Sequence, residues 1–169
     1  MSKMQKFLFL LAVMAIMTAC SSNQAPISNS ATFDRLLIAT HQDTVNSDFT
    51  EGHFPLVDDG TGNLPVEEYG FDRGIKHTEV VAELAKLGLK PVGIKRAMEY
   101  IAAYPDAQLD HPIVIIGAQW TGAYGLVRVP IFDRDGSERN LYLLWLDGYW
   151  FNASVRFLVV RLPDRQAGE

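Results

Sequence analysis

The chain predicts an α+β domain in which two consecutive helices are followed by an antiparallel sheet of about four strands. Two observations carry this. Apolar residues recur at helical spacing between Thr78 and Tyr104, and beyond Pro112 the period shortens to that of extended strands separated by turn-forming residues. Helices segregated from strands along one chain are the α+β pattern.

Taken in order, the chain opens with Lys3 and Lys6, then an unbroken apolar run from Phe7 to Met17, then Thr18, Ala19 and the only cysteine, Cys20. A positive start, a short apolar core and small residues before a cleavage point form a secretion signal, and the run is too short to span a bilayer comfortably. With Met17 at the aliphatic position, residues 17–20 resemble the lipobox of bacterial lipoproteins. That resemblance implies removal of residues 1–19 and lipidation of Cys20, which then fastens the chain to a membrane through its acyl groups. Ser21 in place of aspartate resembles the pattern of lipoproteins sent to the outer membrane, if the source has two membranes. The expected location is the cell envelope.

Loss of residues 1–19 removes two of 15 basic side chains and none of 20 acidic ones, moving the formal charge from −5 to −7. An acidic body without a basic cluster argues against nucleic acid as a partner. With Cys20 lipidated no disulfide can form within the domain, so stability must come from packing.

Residues 20–32 read as the lipidated cysteine and a flexible tether of Ser, Asn, Gln, Ala and Pro. One globular domain is expected over 33–163, with a polar tail at 164–169. Residues 33–74 read mostly as loop, with Leu36-Leu37-Ile38 as a short helix or strand and a turn cluster at Asp58–Asn63.

The first predicted helix places Val80, Val81, Leu84 and Leu87 on one face, with Thr78 as N-cap and Gly88 as the C-terminal stop. The second places Ile94, Ala97, Met98 and Ile101 together and ends at Tyr104-Pro105. Four predicted strands follow, at 113–120, 126–132, 140–146 and 155–162. Residues 133–138 form a hairpin connection and Asp147-Gly148 a second turn. Pro130 donates no ladder bond, which predicts an edge or a bulge for its strand. The run from Leu141 to Leu146 is apolar on both faces, which predicts a central strand.

The segments Gly88–Val92, His111–Trp120 and Arg156–Arg161 resemble a pattern in small uncharacterised bacterial proteins. The two helices with a tryptophan-bearing meander and an arginine-containing last strand resemble, more loosely, the C-type-lectin-like fold shared with formylglycine-generating enzymes. That resemblance implies a fold only, because the cysteines of both groups are absent.

Eight aromatic residues, Trp120, Tyr124, Tyr142, Trp145, Tyr149, Trp150, Phe151 and Phe157, crowd the final third. As a set they are expected to fill the core. Tyr149, Trp150 and Phe151, following the Asp147-Gly148 turn, are the expected exception and the candidate partner-binding residues. Asp133 and Asp135 are weak candidates for a metal, since the calcium loop they begin lacks its later acidic positions and a solvated turn explains them. His41, His53, His77 and His111 are scattered without zinc spacing, and Glu67-Glu68 point apart if extended. Gly60–Asn63 lacks the lysine of a phosphate loop. Arg128, Arg156 and Arg161, set in apolar strands, are expected to meet an acid, a carbonyl or solvent.

No catalytic residue and no cofactor is assigned. The function that follows is a membrane-anchored, non-enzymatic module binding an envelope protein or glycan. The alternatives are an envelope hydrolase acting on glycan or peptide, marked by two convergent acids or a His–acid pair in a pocket, and a purely structural lipoprotein.

Overall fold

The computed structural model describes residues 29–163; the signal segment, Cys20, most of the tether and the tail lie outside them. The described residues form a mixed α+β fold with four helices and a largely antiparallel eight-stranded sheet. In chain order the elements are α1 (Asn29–Ala39), β1 (Thr44–Val45), β2 (Val66–Tyr69), β3 (Ile75–Lys76), α2 (His77–Lys86), β4 (Leu89–Pro91), α3 (Ile94–Ala103) and α4 (Ala107–Asp110). There follow β5 (Ile113–Val114), β6 (Trp120–Thr121), a 3-10 turn (Ala123–Gly125), β7 (Val127–Asp135), β8 (Glu138–Trp145), β9 (Trp150–Phe151) and β10 (Arg156–Arg161).

The sheet runs β1-β8-β7-β5-β10-β2, with β4 also on β10 and β6 also on β7. Helices and strands are therefore interleaved rather than consecutive: β1 and β2 precede the helix pair and close the two ends of the sheet. β1 pairs parallel with β8, and β5 pairs parallel with β10. β3 and β9 form a separate two-stranded ribbon.

Both faces of the centre of the sheet are covered, so β5 and the run Phe157–Val160 of β10 are apolar and buried on both sides. Alternation in β10 sends Leu158 and Val160 to one core, with Phe33 of α1 and Ile94, Ala97, Met98 and Ile101 of α3. Phe157 and Val159 go to a second core, with Val80 and Leu84 of α2, Ile75 of β3 and Phe151 of β9. One helix layer lies on each face.

Residues 33–74 are mostly turn and loop, as expected, and their regular pieces are the end of α1, β1 and β2, with Phe33, Leu36 and Leu37 packing one side of α1 against the core. Several expectations are corrected. α1 begins at Asn29, so the last residues assigned to the tether at 20–32 belong to the folded body. In α2 the N-cap is Lys76, which makes no side-chain cap, and Thr78 lies inside the helix. Val80 and Leu84 are buried there, whereas Val81 and Leu87 face solvent. Gly88 does end α2, taking the left-handed conformation at φ +70° that costs glycine least. α3 matches its expected face in full.

Pro130 lies in the interior strand β7 rather than at an edge. In an extended strand the N and carbonyl of one residue point to the same side, and the Pro130 carbonyl accepts the N–H of Ile115. Its missing donor therefore faces the Ile115 carbonyl, which accepts the Ala118 N–H instead, so no acceptor is left unpaired. β8 in turn is not central. Beyond the short β1 at Asn140 and Leu141, β7 is its only strand neighbour among the described residues.

Gly117 marks the closest backbone approach. A Cβ there would meet the Val92 carbonyl, so the segment joining β5 to β6 lies directly on the chain leaving β4.

Candidate functional site

The Asp147-Gly148 turn, with Gly148 at φ +67°, closes through the Tyr149 N–H donating to the Leu146 carbonyl. It delivers β9 to β3, in the register Lys76 opposite Trp150 and Ile75 opposite Phe151. Strand alternation then separates the candidate residues. Trp150 is 56% exposed, with the Lys76 ammonium 5.1 Å from its ring centre. Phe151 is 1% exposed and packs edge-on against Phe157 at 5.1 Å. Tyr149 is exposed, with its ring 5.2 Å from that of Phe151. The three residues are thus not displayed together: Phe151 is core, and the exposed pair is Tyr149 and Trp150.

The expectation that the aromatic set is mainly core is also overturned. Tyr124, Tyr142, Trp145, Tyr149 and Trp150 all reach solvent. Tyr124 is the extreme case, 98% exposed in the turn between β6 and β7. Its φ of +66° is left-handed, which costs a non-glycine residue about 1 kcal/mol. The Gly122 N–H donates to the Leu126 carbonyl at 3.0 Å and holds the turn that carries the ring.

Tyr124 lines a groove of about 530 Å³. One wall is the first turn of α2, with His77, Thr78 and Val81, and Gln119, Leu126 and Asp147 contribute from the sheet side. The His77 N–H donates to the Tyr149 carbonyl at 3.1 Å, tying this wall to the Asp147–Trp150 turn. Sequence reasoning missed the groove because its residues come from four separate segments. The available signal was Gly122-Ala123-Tyr124-Gly125, an aromatic residue between turn formers.

Asp133 and Asp135 end β7. Asp133 accepts the Arg134 N–H at 2.8 Å, and its carbonyl accepts the Gln108 amide at 2.6 Å. The strands continue to Asp135 and Glu138, so the hairpin turn is Gly136-Ser137 alone. Among the described residues no group of three His, Cys, Asp or Glu side chains is arranged to hold a metal.

The strand arginines are partnered as their setting requires. Arg128 donates to the Asp48 carboxylate at 2.7 Å, Arg161 to Glu67 at 3.1 Å, and Arg156 to the carbonyls of Ala153 and Val155. Glu67 and Glu68 do diverge, Glu67 to Arg161 and Glu68 to the Tyr100 hydroxyl. Burial, together with the hydrogen bond to Glu68, pushes the Tyr100 phenol far above its ordinary value.

A smaller pocket holds a histidine and an acid, His53 and Asp59. Asp59 is committed to structure. One oxygen accepts from the Thr61 backbone and hydroxyl, and the other accepts the Gly93 N–H that opens α3. Burial acts to raise its pKa, and these bonds with the nearby Lys90 outweigh it, leaving the carboxyl below its ordinary value. Glu83 is also lowered, chiefly by its hydrogen bond from Lys86.

No family model, curated protein or solved structure matches the chain. Among the described residues no helix is long and apolar enough to cross a membrane.

Proposed function

We propose that the chain is a lipid-anchored lipoprotein of the cell envelope, acting as a non-enzymatic binding module for a protein or glycan partner. What supports the anchor is the sequence of residues 1–20, whose charged start, apolar run and small residues before Cys20 resemble a lipoprotein signal. Ser21 favours the outer membrane where the source has two. The looser likeness to C-type-lectin-like domains belongs to this proposal, supported by a tryptophan-bearing sheet that includes the arginine-containing strand β10.

One observation carries the binding reading. Tyr124 and Trp150 are large rings held out in solvent, and Tyr124 occupies a strained backbone position. Neither adds to the core, and exposed aromatic surface of this kind marks an interaction site.

The test is capture from solubilised envelopes by the full chain. Wild type is expected to retain a protein or glycan that Trp150→Ala releases. Equal recovery by both, or recovery of nothing above background, would contradict the reading.

A further inference from the structure

We propose that the groove between the first turn of α2 and the turn carrying Tyr124 is a binding site for a neutral saccharide stacked on the Tyr124 ring. This rests on the partner-binding reading above and assigns it a place and a ligand class.

Tyr124 is where the argument starts. Its neighbour Gly125 is also left-handed, at φ +75°, so the turn favours glycine or asparagine at both positions. A tyrosine there strains the backbone, and at 98% exposure the residue gives the fold almost no buried area in return. Its use is to a molecule outside the chain.

The walls state which molecule. His77, Thr78, Gln119 and Asp147 supply an imidazole, a hydroxyl, an amide and a carboxylate, and Val81 and Leu126 add apolar surface. No lysine or arginine lines the groove, and the one formal charge is the Asp147 carboxylate, which disfavours an anion. The Gln119 amide nitrogen is engaged by the Ile116 carbonyl, leaving the side-chain oxygen as an acceptor. The ligand that fits is uncharged, donates and accepts several hydrogen bonds, and presents an apolar face to a ring. A pyranose has that combination, with hydroxyls at its rim and C–H bonds on its face.

The site is also pre-formed. The bond from Gly122 to Leu126, that from His77 to Tyr149 and that from the Leu146 N–H to the Val127 carbonyl fix three parts of the wall to one another. Little ordering remains for a ligand to impose.

The experiment is calorimetric titration of the full-length protein in detergent with chitotetraose, maltotetraose and cellotetraose, and separately with a neutral hexapeptide. At least one saccharide is expected to bind, with Tyr124→Ala weakening it by about tenfold or more and Tyr124→Phe by less than about threefold, since stacking needs the ring and not the hydroxyl. The melting temperature of Tyr124→Ala should not fall, which separates lost binding from lost folding. Absence of binding by all three saccharides, binding indifferent to Tyr124→Ala, or displacement of a saccharide by the peptide would overturn the assignment. Capture of a partner through Trp150 would be unaffected by that failure, so the two readings fail separately.

Discussion

The Arg128 guanidinium lies 3.8 Å from the centre of the Trp145 ring, on the residue directly across the β7–β8 ladder. On the other side of β7 its register partner is Trp120, at 5.2 Å. Residues opposite one another share a face of the sheet, so a cation between two indoles spans three strands. His53 stacks on Trp120 at 3.8 Å, and Asp48 pairs the guanidinium. This row anchors the segment between β1 and β2 to the sheet.

Removing the acid leaves a largely buried cation without its partner. Asp48→Ala is expected to lower unfolding free energy by about 1–2 kcal/mol, the value reduced because the Asp48 side chain itself is partly exposed. Arg128→Lys keeps the charge and loses the planar stacking, and should cost about 1 kcal/mol. Urea titration measures both, and no loss in either variant would refute the anchoring role.

The pair Trp150 and Phe151 separates surface from core within two residues. Phe151→Ala should cost about 3–5 kcal/mol through cavity formation. Trp150→Ala should stay within about 0.5 kcal/mol of wild type, losing only an exposed cation–π contact. Equal losses at the two positions would show that the alternation of β9 is wrong.

Asp59 gives a pH dependence of defined sign. Its folded pKa lies below the ordinary carboxyl value of 3.8, so its stabilisation is complete above that value and is lost as pH falls through the folded pKa. The stability advantage of wild type over Asp59→Asn should therefore be constant from pH 7 to about 5 and shrink below about pH 4. Denaturant midpoints across that range check it; an advantage that grows on acidification would reverse the sign.

How much of this was legible in the sequence depends on the reach of the contacts concerned. α3 was fully legible because Ile94, Ala97, Met98 and Ile101 carry its whole buried face. α1 is only partly legible: Leu36-Leu37-Ile38 allows a short helix or strand, and its first turns are hidden because Asn29, Ser30 and Thr32 read as tether. β1 and β2 are too short to show a period, and β2 contains Glu67 and Glu68; both exist because β8 and β10 supply ladder partners from the far end of the chain. The strand order was hidden for the same reason. Site legibility stopped at hydrophobicity: Trp and Tyr serve equally well inside and outside, so only the pairing of β9 with β3 separates Trp150 from Phe151.

Gly117 tests the close approach that seats the β5–β6 connection on β4. Gly117→Ala should destabilise by about 3 kcal/mol, because its Cβ would press on the Val92 backbone rather than on a movable side chain. Gly88→Ala, strained only by its positive φ and with open space around it, should cost about 1 kcal/mol. Thermal unfolding of the two variants ranks them, and the reverse ranking would contradict this packing.

The proposed fastening of this domain to a bilayer through Cys20 is tested most directly by intact-mass measurement of the mature protein extracted from bacterial membranes. The predicted mass is that of a chain beginning at Cys20 and carrying acyl groups, with Cys20→Ser leaving an unprocessed, unacylated precursor. A mature wild-type chain with an unmodified cysteine, or a Cys20→Ser variant processed and retained like wild type, would contradict the account.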